Sequence, residues 1–369
     1  MVRTGSPPAP RPVGCQPCPR LFALVCRPPG RLAQRAAGSR HAAPLLDRGG
    51  RARDRRPCGR GRERCPRRPA GGRRPPPPHR HRWPLRPRRR HRSGHGRVPP
   101  AGGNVSQLAA GQRLLLHLAF DGTAYAGWQV QPGQVTVQGA VEAAMARLCN
   151  RPVRLHGASR TDAGVHAAHL PAHLDLPRPF AAAALLRGLN ALLPPDIVCH
   201  RLEPVASDFH ARYAARGKLY RYRIFNHPVR PLWDRPYLLW EARPLDVAAM
   251  ATAVAPLVGV HDFASFCAAD ADTTTTVREV VAARFGPAGD ELHLEIAGTG
   301  FLKHMVRAIT GTLLEVGLGR LPSHGLTAIL AARDRGAGGP TAPARGLCLV
   351  EVVYDPAQLE QWRAHLGDQ

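Results

Sequence analysis

The sequence predicts an α+β fold built from two related halves, and three observations carry that reading. Residues 112–202 switch between strand-like and helix-like apolar periods in the order strand, helix, strand, strand, helix, strand, which is the order of a ferredoxin-like unit. Residues 211–354 repeat the same mixture with insertions, so a second half joins the first in a central, mostly antiparallel sheet flanked by helices. The first hundred residues share none of this patterning, which divides the chain into a tail (1–103), an N-terminal half (104–210) and a C-terminal half (211–369).

The elements follow from local signals. The run Q-R-L-L-L-H-L-A-F-D at 112–121 reads as a buried strand closed by the turn pair Asp121-Gly122. Val137, Ala140, Val141, Ala144, Met145 and Leu148 recur at three and four residues and predict an amphipathic helix. Strands are expected at 153–157 and, despite Pro171, at 168–176; a helix at 180–193 ends at Pro194-Pro195, and a strand runs from 197 to 202. In the second half we expect a long strand at 211–226, a helix at 245–258, a strand pair at 277–285 and 291–297, helices at 303–316 and 323–333, and a last strand at 347–354.

Charge is confined to the tail. The chain carries a formal +26, but residues 1–100 hold 27 Arg, no Lys and three acids, leaving the other 269 residues at about +2. The tail also holds 20 of the 38 prolines and little that could form a core, so it is expected to be disordered. Three readings of it stay open: an RNA-binding arm, an organellar targeting segment, or upstream sequence translated from a wrongly assigned start. The apolar run Leu21–Cys26 is shorter than a secretory signal core, and no stretch approaches the length of a membrane span. A zinc site at Cys15, Cys18, Cys58 and Cys65 would lack any hydrophobic pattern to enclose it, and the scattered Cys149, Cys199, Cys267 and Cys348 fit free thiols in a reducing compartment, hence a cytoplasmic protein.

The segment G-A-S-R-T-D-A-G-V-H-A at 157–167 is the richest in chemistry. Arg160 and Asp162 are two apart, so in an extended loop they project to one side and can pair, which would keep the carboxylate ionised. Gly164 gives backbone freedom for a tight turn, and Thr161 can bond local backbone to hold the loop. On these grounds alone the string is compatible with an ordinary salt-bridged turn. Elsewhere, Trp128 reads as a packed residue and Asp121 as RNA-facing. Arg212, Lys218, Arg221 and Arg223 surround Tyr220, with Arg221 and Arg223 on the strand face opposite Tyr220 and Tyr222. Basic side chains beside stacking aromatics suit RNA, though a solvated charged face is the commoner pattern. Lys303 and Arg307, four apart, are expected on one helix face as a phosphate contact.

The segment at 157–167 resembles the signature of the tRNA pseudouridine synthase A family, and further blocks of that family follow in order: F-D-G-T-A-Y-A-G-W-Q at 120–129, D-F-H-A-R at 208–212, K-L-Y-R-Y at 218–222, H-D-F-A-S-F at 261–266, F-L-K-H-M-V-R at 301–307 and G-L-C-L-V at 346–350. The resemblance implies the pseudouridine synthase fold, with an active cleft between the halves. It implies a cofactor-free isomerisation in which uracil leaves C1′ of its ribose, turns, and rejoins through C5, on uridines of the tRNA anticodon stem-loop at positions 38 to 40. Asp162 is then the essential carboxylate, as nucleophile or general base. Tyr220 matches the active-site tyrosine, Arg307 the basic partner of the aspartate, and Leu349 a residue lining the pocket. A homodimer sharing one tRNA is implied as well. A catalytically silent RNA-binding or RNA-folding protein of the same fold is the alternative. Two departures stand out: Ser159 replaces a common glycine, and A-H-L-P-A-H-L at 168–174 departs from the usual Gln-Val pattern.

Two competing motifs are weaker. Gly298-Thr-Gly300 lacks a third glycine, with Lys303 in its place, so a dinucleotide site is not expected. His166, His169 and His173 would share a helix face as metal ligands, but Pro171 argues for a strand and against a metal site.

Overall fold

The computed structural model describes residues 107–367. The Arg/Pro-rich tail, its four-cysteine candidate and the boundary at 103 lie outside the described residues. In chain order the elements are β1 (Gln107–Leu108), β2 (Arg113–Phe120), α1 (Val137–Cys149), β3 (His156–Gly157), β4 (His166–Asp175), β5 (Phe180–Ala181), α2 (Ala182–Leu192), β6 (Ile197–Pro204), β7 (Gly217–Asn226), β8 (Leu239–Glu241), α3 (Val247–Val254), β9 (Gly259–Asp262), β10 (Val277–Ala288), β11 (Glu291–Gly298), α4 (Met305–Gly317), α5 (Gly325–Ala332), β12 (Leu347–Val353) and α6 (Pro356–Gly367).

One sheet runs in the order β6-β2-β4-β12-β7-β11-β10-β9, with β3 on β4 and β8 on β7. Its ladders are antiparallel except β4 with β12 and β7 with β8. β2 explains its own position: an almost unbroken apolar run can only lie inside a sheet, and it is flanked by β6 and β4. The last strand is inserted centrally, so β12 joins the strands of residues 113–204 to those of residues 217–298. Its parallel register sets Cys348 beside His166 and Leu349 beside Ala167, so the signature loop before β4 lies next to the loop before β12.

The helices are capped where the sequence offers caps. The Thr136 hydroxyl accepts from the Gly139 amide at 3.3 Å, and α1 ends on Asn150 in the left-handed region at φ 53°. Asp246 starts α3 by accepting from the Ala249 amide at 2.9 Å. Helices α1 to α5 contribute to one contiguous core with the even-numbered face of β7, including Tyr220 and Tyr222. The opposite face carries a smaller cluster of Leu219, Val281, Ala282, Ala297 and Leu366, covered by α6.

Three expectations change, and one helix is added. The long strand expected at 211–226 begins only at Gly217, because the preceding residues turn, with the Ala214 amide donating to the His210 carbonyl at 2.9 Å. The strand at 153–157 is reduced to His156–Gly157, because the backbone of Leu155 is satisfied by α1 side chains: its amide donates to Glu142 Oε1 (2.9 Å) and its carbonyl accepts from Gln138 Nε2 (3.1 Å). Helix α4 starts at Met305, not at 303, because His304 holds a left-handed φ of 63° that ends any helix reaching it from the N-terminal side. Helix α6 has no strong sequence signal, as only Leu359, Trp362 and Leu366 form its apolar stripe, and the sheet face supplies what it packs on.

Beyond α6, that second face is a lattice of cross-strand ion pairs. Arg221 donates to Glu295 from both Nε (2.9 Å) and Nη2 (2.6 Å), and Arg284 reaches the other oxygen at 2.7 Å. Arg223 grips Glu291 in the same way (2.7 and 2.6 Å), with His293 at 3.0 Å. Arg221 and Arg223 do lie opposite Tyr220, but they are engaged by sheet carboxylates and are not offered to RNA. Burial works against the charge of Glu291, yet the bonds from Arg223 and His293 outweigh it and hold its carboxyl down to about 2. A depressed carboxylate stabilises fully above its unfolded value, near 4.5, and the contribution disappears as pH falls toward 2. Glu291→Gln should therefore lower stability at pH 7 by about 1–3 kcal/mol and flatten the loss of stability between pH 4.5 and 2. Urea melts of both proteins across that range test this, and equal acid slopes would sink it.

Candidate active site

The signature loop is held by the segment that follows β2. The Trp128 amide donates to the Thr161 carbonyl (3.1 Å), the Gly164 amide to the Tyr125 carbonyl (3.2 Å) and the Gly122 amide to His166 Nδ1 (3.1 Å). Gly127 makes this approach possible: its φ is +94°, and a Cβ there would fall 2.5 Å from the Thr161 carbonyl oxygen. Trp128 is buried and stacks on Phe120, as its packed reading expects. The loop itself turns at Ala163-Gly164, with Gly164 at φ +76° and the Val165 amide donating to the Asp162 carbonyl at 3.1 Å.

The pair that the two-residue spacing of Arg160 and Asp162 predicts does not form; Arg160 is exposed on the cavity wall without a partner among the described residues. Asp162 Oδ2 instead accepts from Arg307 Nη1 at 3.1 Å, with His304 Nε2 at 3.6 Å. Arg307 is itself fixed, its Nε donating to the Ala342 carbonyl at 2.9 Å. The pair is mostly shielded, with 23% of the Asp162 side chain and 15% of the Arg307 side chain exposed. Thr161 also departs from expectation. Among the described residues its buried hydroxyl has no hydrogen-bond partner, and its carbonyl is what anchors the loop.

Asp162 opens on a cavity of about 800 Å³ that Tyr220 and Phe301 also line. The Tyr220 hydroxyl lies 3.0 Å from Ser159 Oγ, and its ring meets the Phe301 ring edge-on at 5.1 Å. Burial pushes the Tyr220 phenol up to about 12 despite the Ser159 bond, so it is un-ionised at neutral pH. Burial likewise lowers His304, against the pull of Asp162, and leaves its imidazole neutral at pH 7. The sequence offered no rule to single out His304 or Phe301, although both lie in the block at 301–307; the signal would have been their adjacency to Arg307.

The remaining expected residues are distributed unequally. Arg212 lines the cavity. Lys303 does too, but it precedes α4, so it does not share a helix face with Arg307, and its Nζ is paired with Asp270 at 2.6 Å. Leu349 is fully buried as the cross-strand neighbour of Tyr220 and does not line the cavity; Leu347, two residues earlier on the same strand face, does. Asp121 is outside the cavity lining. Its carboxylate accepts from the Thr123 amide (2.9 Å), the Thr123 hydroxyl (2.6 Å) and the Tyr237 hydroxyl (2.8 Å), so it closes a turn. His166, His169 and His173 are drawn into three different neighbourhoods by the strand: His166 beneath Gly122, His169 against His117 (2.8 Å), and His173 against His156 and His210. Gly298-Thr-Gly300 follows the antiparallel β10–β11 hairpin, which is not a dinucleotide-binding βαβ unit.

Residues 253–355 match the family described as tRNA pseudouridine synthase. Among curated proteins, the tRNA pseudouridine synthase A of Syntrophotalea carbinolica is 46% identical over 243 residues, which cover 65% of this chain and 96% of that protein. Those of Myxococcus xanthus and Moorella thermoacetica are 47% and 46% identical, with 92% and 99% of their lengths covered. These matches define the chain as an isomerase. The chain belongs to the tRNA pseudouridine synthase A family.

The unpartnered Thr161 hydroxyl yields a direct test. Replacing a buried, unsatisfied hydroxyl with a methyl of equal shape removes a desolvation cost, so Thr161→Val should raise stability by about 1 kcal/mol. Thermal denaturation measures this, and a destabilised variant would show that the hydroxyl has a partner.

Proposed function

We propose that this chain isomerises uridine to pseudouridine in tRNA through Asp162, on uridines at positions 38 to 40 of the anticodon stem-loop. The observation that carries the reading is the Asp162 carboxylate, held by Arg307 and opening on a cavity whose other wall is Tyr220. A cavity of about 800 Å³ accepts a nucleoside turned out of its stack, and Tyr220 and Phe301 give it aromatic surfaces to lie against. Family membership supports the reaction and the tRNA substrate.

The chemistry follows from what each group can do at neutral pH. Arg307 offers its charge to one oxygen of Asp162, so the carboxylate presents its other oxygen to the ribose C1′ or to the base. Tyr220, with its phenol near 12, cannot act as a phenolate base at pH 7; it contributes a ring face and a hydroxyl that donates or accepts beside the reacting base. Released uracil must turn before C5 bonds to C1′, and a walled cavity keeps it from diffusing away while it does. Each half contributes: Asp162 from the first, Tyr220 and Arg307 from the second. The order β6-β2-β4 with β3 on β4 supports reading residues 104–210 as one ferredoxin-like half and residues 211–369 as the other, with the cleft between them. A cytoplasmic homodimer that shares one tRNA completes the proposal.

Asp162→Asn should bind unmodified tRNA like the wild type and form pseudouridine at least about a thousandfold more slowly, a barrier increase near 4 kcal/mol. Mass spectrometry of the digested tRNA reads the outcome, and wild-type protein that leaves no pseudouridine would refute the function itself. Tyr220→Phe keeps the ring and loses the hydroxyl, so it should bind tRNA normally and lose about 10–100-fold in single-turnover rate. An unchanged rate would reduce Tyr220 to a stacking surface.

A further inference from the structure

The chain has 50 arginines and two lysines, and both lysines, Lys218 and Lys303, line the cavity of Asp162. Lys303 is neutralised by Asp270 at 2.6 Å. Lys218 has no carboxylate: its side chain makes no hydrogen bond or ion pair among the described residues, and the charges that bear on it are those of Arg212 and Arg278. Arg212 is exposed and its guanidinium is likewise unpaired, while Arg278 donates only to the carbonyls of Thr275 (2.9 Å) and Val277 (2.6 Å) and to the Thr273 hydroxyl (3.3 Å). Three cations thus converge on one wall without an anion.

Each is placed there by a separate element. Lys218 stands two residues before Tyr220 on β7, hence on the same face and about 7 Å along the strand, comparable to the span of one nucleotide. Its cross-strand neighbours Gly298 on β11 and Val352 on β12 carry no charge. Arg278 comes from β10, and Arg212 from the loop before β7, which is pinned by the Tyr354 hydroxyl donating to the Ala211 carbonyl at 3.0 Å. Holding like charges together without a counter-ion costs free energy, and burial with the two arginines pushes the Lys218 ammonium down to about 8. Such an arrangement is relieved by an anionic ligand, and a compact ammonium between two guanidinium groups suits a phosphate.

We propose that Lys218, Arg212 and Arg278 form a phosphodiester subsite that seats the RNA backbone beside the uridine held between Asp162 and Tyr220. It rests on the RNA substrate proposed above. The subsite fixes the reacting nucleotide by its backbone.

The test uses the full chain and an unmodified anticodon stem-loop RNA, with Kd read by fluorescence anisotropy so that binding is measured whether or not pseudouridine forms. Lys218→Met and Arg212→Gln should each raise Kd about tenfold and lower the slope of log Kd against log salt by about one. Arg212 is exposed, so its variant carries the test even if Lys218→Met folds poorly. One methylphosphonate placed next to the target uridine should weaken wild-type binding by a similar factor and Lys218→Met binding by much less. Wild-type affinity should also weaken as pH rises through about 8, where Lys218 loses its proton, and that dependence should flatten in Lys218→Arg. Unchanged Kd and salt slope in both variants, or equal methylphosphonate losses in wild type and variant, would overturn the subsite. Wild-type protein that binds with this phosphate dependence yet forms no pseudouridine would refute the proposed function and leave the subsite standing.

Discussion

The ion pair between Arg307 and Asp162 joins residues 145 positions apart, and the site exists only because the sheet brings them together. Its geometry has three supports. The turn at Ala163-Gly164 fixes the backbone of Asp162 through the Val165 amide, the left-handed His304 starts α4 where Arg307 can reach the carboxylate, and the Ala342 carbonyl accepts from the guanidinium. Removing either charge would leave the other partly buried and unpaired, which is costly in a shielded site. Strain at His304 and the unsatisfied Thr161 hydroxyl sit on either side of this pair, so local stability is given up where the chemistry is concentrated.

The central insertion of β12 has a matching consequence. A terminal strand paired parallel to β4 and antiparallel to β7 sets Leu349 between Ala167 and Tyr220, a fully apolar seat under the tyrosine. Leu349 therefore shapes the cavity floor indirectly, and Leu347 meets the cavity itself. Tyr220 has Leu349 as its cross-strand neighbour, Phe301 edge-on to its ring and Ser159 at its hydroxyl. Ser159 thus contributes a hydrogen bond that a glycine at this position could not make.

Charge in this protein separates into three kinds. The tail's excess of arginine dominates the formal total and lies outside the described residues. Arg221, Arg223 and Arg284 are matched by Glu291 and Glu295 on the sheet's second face, where they stabilise the fold. Lys218, Arg212 and Arg278 remain unmatched by carboxylates on the cavity wall. Net charge alone would have directed attention to the first kind, whereas pairing identifies the third.

The sequence by itself determined the long strands β2, β4, β6, β10, β11 and β12, the helices with a clear apolar period, the family signature at 157–167 and the alternation that turns Arg221 and Arg223 away from Tyr220. These are local: a period of two or 3.6, a turn pair or a cap acts over a few residues. Only the tertiary structure decided which cation Asp162 pairs with, that Asp121 closes a turn, that Lys303 is neutralised by Asp270, and that α6 is a helix at all. Each depends on a residue far away in sequence, and no local period encodes such a contact. Arg160 is two residues from Asp162 and Arg307 is 145, yet the placement of α4 beside the loop gives the carboxylate to Arg307.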